Sequence, residues 1–433
     1  MGTGSLDKVG DVIMAMSMKR SMVRRVAVRV GVSSMGEICG RAVNILLPFI
    51  VITIHGANTL TDSFFLAMAC AFFVQGTLAN VCITALVPEF IRSDVKRNLV
   101  KFLRLAIVAG VIASLISAVL IYRPLSMVAS VVSSFSIALI AISGLIAAPA
   151  TAALNAQHRY AMPGLTWGLR MFPVLTYMVI WPHIPLLHWL LAGIALADYL
   201  RMVILLWLAR EWLAFKEEYE PLCFPQAAQY LIIAAAIAGV IPLVMRWIAS
   251  TGHAGTVSLF EAAERIYSIV ASLATIGVGN VTLVYLARIN GTKEESSGWR
   301  MIVRSAIVWS LLWLFIGVLL WVLFPLISQW IHLPPETSTS VVRNCVLLFV
   351  LGMPGFILTG IISRRLITLG LSRALIFITA VGVVFSIVGG IFLFPIFDIV
   401  GIAAILSLNQ YLIALLMFHK LTQHLSHAHS YTG

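Results

Sequence analysis

Apolar runs of some twenty residues, separated by short polar or basic turns, follow one another from about residue 28 to the end of the chain. A helix crossing the hydrocarbon of a bilayer needs about 20 such residues. Windows of that kind predict twelve spans, at 30–54, 63–90, 104–122, 126–154, 163–182, 186–209, 227–249, 256–287, 301–324, 340–363, 374–396 and 400–418. Runs such as 231–244 are continuously apolar, whereas barrel strands alternate over about ten residues. Helices satisfy their backbone groups internally. The pattern therefore predicts an all-α polytopic membrane protein, with the longer spans tilted or continuing past the lipid.

Composition agrees: 61% of the residues are hydrophobic, 11% are charged, and the mean hydropathy is +1.01. A soluble domain carries about a quarter charged residues. The net charge of +12 bears on topology rather than on partners. Of the 29 Lys and Arg, 22 fall in segments on one side of the twelve-span pattern, among them Arg24, Arg25, Lys96, Arg97, Arg300, Arg304, Arg364, Arg365 and Lys420. The opposite loops hold only Arg123. By the positive-inside rule both termini are cytoplasmic and the helix count is even. A nucleic-acid partner would need a contiguous basic surface, and these residues are scattered, so none is expected. The five cysteines lack CxxC spacing and read as small packing residues. No apolar segment precedes residue 26, so the first span is the expected insertion signal. A cysteine placed at Asn58 or Thr251 should be labelled from outside intact cells, and one at Ser93 only after permeabilisation. The opposite result would invert the topology.

The longest stretch expected outside the membrane after residue 30, about 210–226, is amphipathic and lies between spans 6 and 7. It divides the chain into a cytoplasmic segment 1–26, an N-lobe 27–210, a linker 211–225, a C-lobe 226–420 and a tail 421–433. The halves resemble each other. HGANTLTDSFFLAMA (55–69) is similar to GHAGTVSLFEAAERI (252–266), and GLIAAPATAALNAQHRYAMPGL (144–165) to GFILTGIISRRLITLGLSRAL (355–375). Six helices per repeat give both halves the same orientation, related by an axis along the membrane normal with a site between them. A duplication with insertions accounts for both matches; the alternative is compositional likeness among Gly/Ala/Leu-rich helices. The expected fold is two pseudo-symmetric six-helix lobes around a cavity lined by spans 1, 2, 7 and 8, with span 2 near span 7 and span 1 near span 8.

Charges inside the spans are costly, about 2.5–3.5 kcal/mol each on insertion scales, and persist where they pair, face a cavity or work. Glu37 and Arg41 share one face of span 1. Asp62 stands at the outer mouth of span 2, Arg170 in span 5, and Asp198 with Arg201 in span 6. Span 8 carries Glu261, Glu264 and Arg265; Arg246 lies near the outer end of span 7 and Arg343 starts span 10. Intrahelical pairing and snorkelling would account for all of them, and for Arg246 and Arg343 that reading predicts tolerance of alanine. Arg41 and Arg265 sit in corresponding early spans of the two halves, each with a carboxylate one turn away. Facing each other across a cavity, they would form a bidentate clamp for phosphate oxygens. Pro48, Pro149, Pro173, Pro242 and Pro354 could provide bends.

The motifs TDSFFLA (61–67) and ALVPEF (85–90), preceded by GRAVNILLPFIVITIHGA (40–57), resemble the MurJ/MviN lipid II flippases of the multidrug/oligosaccharidyl-lipid/polysaccharide exporter superfamily. The resemblance continues through ALNAQHRYAMPGL (153–165), AAERIYS (262–268) and ISRRLITLGLSRAL (362–375), covering roughly residues 30–418. It implies transport of a polyprenyl-diphosphate-linked saccharide from inner to outer leaflet of a bacterial inner membrane, driven by an Na+ or H+ gradient or the membrane potential, with no cofactor and no catalytic residues. Arg41, Asp62 and Glu264–Arg265 match family motifs. Leu47-Pro48 and Gln75-Gly76 stand where the family carries charged residues, and two C-terminal helices are missing. Those departures widen the expected cargo from lipid II to exopolysaccharide or O-antigen repeat units.

A multidrug/cation antiporter of the same superfamily is the alternative. It would need carboxylates free to exchange an ion, and here most have an arginine within one turn. A membrane enzyme would need an aqueous domain, and the outer loops are short. The expected partners are the lipid-linked glycan and membrane lipid, with the chain a monomer that could work beside glycan-synthesis proteins.

Overall fold

A computed structural model of the chain describes residues 46–92, 95–122, 127–157, 159, 161–180, 187–213, 226–268, 271, 286, 295–331 and 336–430. Every regular element among them is helical. Span 1 is described only from α1 (Leu46–His55) onward, so Glu37 and Arg41 lie outside the described residues. Asn58 then starts helix 2: its side chain accepts from the Leu60 and Thr61 amides, while the Thr61 hydroxyl accepts from the Asn58 amide. This reciprocal cap satisfies donors that a helix start leaves orphaned.

Helix 2 is one continuous rod in three parts: α2 (Thr59–Phe72), a π-helical turn (Phe73–Ala79) and α3 (Asn80–Arg92). The N-lobe continues with α4 (Val95–Tyr122) and α5 (Met127–Ala156). Next come α6 (Ala161–Leu165), a 3-10 turn (Thr166–Arg170) and α7 (Met171–Ile180), which together form span 5, and then α8 (Leu187–Leu208) and α9 (Arg210–Leu213). α5 is the pivot, packing against α3, α4 and α8. Its buried Ala147, Ala148, Ala150, Ala152 and Ala153 let neighbouring backbones approach closely, the usual way helices associate where no hydrophobic driving force exists between them.

The C-lobe holds α10 (Gln226–Ala249), α11 (256–268), α12 (Glu295–Ile331), α13 (Glu336–Leu351), α14 (Met353–Thr368) and α15 (Ser372–Ser430). The break between α13 and α14 falls at Gly352, one residue before a proline-bearing first turn, so predicted span 10 is two helices. α15 is really two arms. Asp398, at φ 53° and ψ −145°, folds the second back on the first, joining predicted spans 11 and 12 with a single residue. That backbone region is essentially reserved for glycine.

Seven helices among the described residues are long and apolar enough to cross a membrane, the longest being the folded 372–424 segment. Large apolar side chains such as Val179, Phe377 and Phe135 are more than two-thirds exposed. Helices that are apolar on their outer faces as well as their packed ones belong in lipid, and the protein is a multi-pass membrane protein.

The lobes meet along helix 2 and α10, as expected for spans 2 and 7. Gly239 of α10 sits so close to the π-helical turn that a Cβ there would lie 2.6 Å from Phe73 and 2.8 Å from Thr77.

Candidate functional site

Three polar constellations interrupt the apolar packing. The first joins the two lobes where helix 2 and α11 begin, the ends expected to face outward. Asp62 accepts from the Gly255 amide (2.7 Å), the Ser258 amide (2.9 Å) and the Ser258 hydroxyl (2.6 Å). A carboxylate at the start of helix 2 thus caps the N-terminus of α11 in the other lobe, where orphan amides and the helix dipole favour negative charge. Beside it the Thr61 and Ser258 hydroxyls are 2.8 Å apart. These residues stand 197 apart and correspond in the two similar segments, so equivalent positions of the two halves touch. Gly255 adopts φ +93° and packs so tightly that a Cβ would lie 2.7 Å from the Ala57 carbonyl oxygen. Nearby, His55 Nε2 and the Tyr177 hydroxyl are hydrogen-bonded, tying the end of α1 to α7.

The second constellation is a polar knot within the N-lobe. Arg170 donates from Nε to Asp198 Oδ1 (2.8 Å) and from Nη2 to Asp198 Oδ2 (2.6 Å), the two-pronged geometry a guanidinium offers a carboxylate. Gln75 closes the triangle, donating to Asp198 Oδ2 at 3.0 Å and accepting from Arg170. Both charged side chains are 1% exposed. Trp167 lies beneath two guanidiniums, that of Arg201 at 3.8 Å and that of Arg170 at 4.8 Å, within cation–π range. The expected intrahelical pairing of Asp198 with Arg201 therefore gives way. Asp198 is taken by an arginine 28 residues earlier, and Arg201 stacks on an indole.

The third is a tetrad in the C-lobe. Glu261 is clasped from both sides. Arg246 donates to its Oε2 from Nε (2.8 Å) and Nη2 (2.6 Å), while Arg265 donates to its Oε1 from Nε (2.7 Å). Arg246 also donates to Glu264 and to the Pro242 carbonyl. Two positive and two negative charges are thereby balanced inside the lobe. Arg265 and Glu264, 16% and 26% exposed, form its accessible edge, whereas Glu261 is 3% exposed. One expectation changes: Arg246 does not snorkel to the surface, and the side chain turns inward because α11 presents two carboxylates to it. Arg265 is held by Glu261, the carboxylate one turn before it on the same helix face. Arg343 lies within α13 rather than at its start, with its guanidinium 4.1 Å over the Trp321 ring of α12 and its Nε donating to the Trp321 carbonyl at 3.2 Å.

All the candidate residues within the described part of the chain thus fall into one of these three groups: Asp62 in the first, Arg170, Asp198 and Arg201 in the second, Glu261, Glu264 and Arg265 in the third. Gln75, Thr61, Gly255 and Ser258 were not anticipated. A glutamine in the middle of an apolar span was a signal for the first. The serine, threonine and glycine carry none, because each is common in membrane helices.

No protein-family model matches the chain, and no curated protein matches its sequence. Its fold is similar to that of the lipid II flippase MurJ in an inward closed conformation, at 14% identity and a TM-score of 0.68 over 90% of this chain and 87% of that one. It is similar also to the Vibrio cholerae MATE transporter VcmN (15% identity, TM-score 0.64, 93% and 98% covered). A MOP superfamily transporter from Pyrococcus furiosus gives 13% identity and a TM-score of 0.63, with 92% and 95% covered. At such identities the likeness is one of architecture: the chain has the two-lobed, all-α fold seen in these solved structures.

Proposed function

We propose that the protein is a flippase carrying a polyprenyl-diphosphate-linked saccharide from the inner to the outer leaflet of a bacterial inner membrane. The lobes, 27–210 and 226–420, rock about a cavity between them. The cargo is lipid II or an exopolysaccharide or O-antigen unit. The observation that supports an anionic cargo is the state of the four carboxylates in these constellations. Asp198, Glu261 and Glu264 are each held by arginine, and Asp62 is held by N–H and O–H donors. A cation antiporter works through carboxylates that can release one partner for another, whereas a partly exposed guanidinium at the edge of a balanced tetrad suits phosphate oxygens. Arg265 is that guanidinium, and Arg41 would face it from span 1. An inside-negative potential would favour outward passage of negative charge, by about 2.3 kcal/mol per charge per 100 mV. The fold likeness to MATE transporters keeps multidrug or cation antiport as the second reading.

In a leaflet-accessibility assay, Arg265→Ala and Arg41→Ala should nearly abolish transport at unchanged protein level. Arg→Lys at either site should retain part of it, since lysine keeps the charge but not the fork. Normal transport by both alanine variants would exclude the cationic clamp. Proton- or sodium-coupled efflux of a cationic dye by the wild type would favour the antiporter.

A further inference from the structure

The first turns of α12 carry an open depression on the outside of the C-lobe. Ser297, Arg300, Met301, Arg304 and Ser305 line a depression of about 310 Å³. Arg300 and Arg304 are exposed and one turn apart, so their guanidiniums share a face. The same face continues as hydrocarbon: at spacings of three and four residues come Val308, Leu311 and Phe315, exposed by 68%, 60% and 67%. On its other side α12 buries Ala306 and Trp313 and packs against α13 and α14. The depression and stripe thus face away from the body of the C-lobe.

Two guanidiniums and two hydroxyls at one end, with bare hydrocarbon beyond, complement an amphiphile whose head is a phosphate and whose body is alkyl chain. An arginine that merely snorkels needs water and nothing more; here two serine hydroxyls add donors at the same depression. A protein partner would gain little by covering the stripe, because lipid chains are as apolar as the side chains they touch. The start of α12, where the Arg365 guanidinium of α14 lies 5.9 Å from the Trp299 ring, is at the end that the charge asymmetry assigns to the cytoplasm.

We propose that this depression binds the headgroup of an anionic phospholipid in the leaflet at that end, with the acyl chains lying along Val308, Leu311 and Phe315. The guanidinium forks take the phosphate oxygens, and the serines supply further donors. Because the site faces the bilayer rather than the partner lobe, it stands apart from the transport reading above.

Native mass spectrometry of the full chain, released from mild detergent with equal phosphatidylglycerol and phosphatidylethanolamine, tests this directly. The wild type should retain phosphatidylglycerol preferentially. R300Q with R304Q should weaken that retention roughly 30-fold, each charge near an anionic membrane being worth about fivefold. R104Q with R373Q removes the same charge elsewhere and should leave retention within about twofold of wild type. Equal loss in both pairs would show non-specific attraction and overturn the site, as would undiminished retention in the R300Q/R304Q protein. Equal retention of phosphatidylethanolamine by the wild type would remove the need for an anionic head. Displacement of phosphatidylglycerol by an equimolar polyprenyl phosphate would assign the depression to the carrier lipid and overturn the phospholipid assignment.

Discussion

Glu261→Gln should be among the most damaging single substitutions in the molecule. Glu261 is the only residue of the C-lobe tetrad bonded to both arginines. Without its charge, Arg246 and Arg265 lose the carboxylate they share, and of the tetrad's two acids Glu264 remains. Breaking a buried pair by removing one partner costs about 3–5 kcal/mol, a large share of the total of about 5–15 kcal/mol that holds a typical protein together. The substitution preserves shape, so a marked fall in thermal midpoint in mild detergent reports lost charge. Arg246→Ala should be nearly as harmful, leaving Glu261 and Glu264 short of their shared donor. Arg265→Gln should be milder for stability, because Arg246 still holds Glu261 and the lost side chain is at the accessible edge. An unshifted midpoint for Glu261→Gln would mean that the tetrad does not hold α10 to α11. The comparison also separates the roles of the two arginines: one affects mainly stability, the other mainly transport.

Gly255→Ala should force the outer ends of the lobes apart. The residue already occupies a left-handed backbone conformation, which costs a side-chain-bearing residue about 1–2 kcal/mol. The added methyl would also collide with the Ala57 carbonyl, backbone that cannot swing aside as a side chain can. If the segment yields, Asp62 loses three donors at once, and hydrogen bonds to a charged group contribute about 1.5–3 kcal/mol each. Val257 is wholly buried beside this contact. A cysteine there should be silent to an impermeant maleimide in the parent protein and labelled from outside in the Gly255→Ala background. Asp62→Asn, which keeps the shape and weakens the bonds, should give intermediate labelling. Labelling unchanged from the parent in both variants would show that Asp62 and Gly255 do not hold the outer side closed.

Much of the architecture was legible because hydrocarbon is an exacting solvent. Long apolar runs have few folding options in it, and the basic residues mark the turns between them. The partnering of charges was legible only in part. Sequence spacing exposes partners one turn apart on the same helix, as with Glu261 and Arg265, but not partners delivered by another helix. Arg246 with Glu261 and Glu264 joins α10 to α11; Arg170 with Asp198 and Gln75 joins three elements of the N-lobe. Those pairings depend on how the helices rotate against one another, which small residues such as Gly239 and the α5 alanines decide through close approach. The outer contact was half visible. The two similar segments were recognised, but nothing in them announced that Thr61 and Ser258 would meet each other.

The π-helical turn at Phe73–Ala79 sets the phase of helix 2. Such a turn holds one residue more than the α-helical rod around it, and each residue of an α-helix advances the face by about 100°. On its outer side α2 must aim Asp62 at the start of α11. On its inner side α3 must aim Leu86 and Phe90 into the cluster that includes Ala147 and Ala150 of α5. An uninterrupted helix of the same sequence would satisfy one of those directions and miss the other by roughly a quarter of a revolution. Loss of a single residue between Phe73 and Ala79 would therefore let the turn close into ordinary α-helix with both directions kept, whereas the same loss early in α3 would swing Leu86 and Phe90 away from α5 by about 100°.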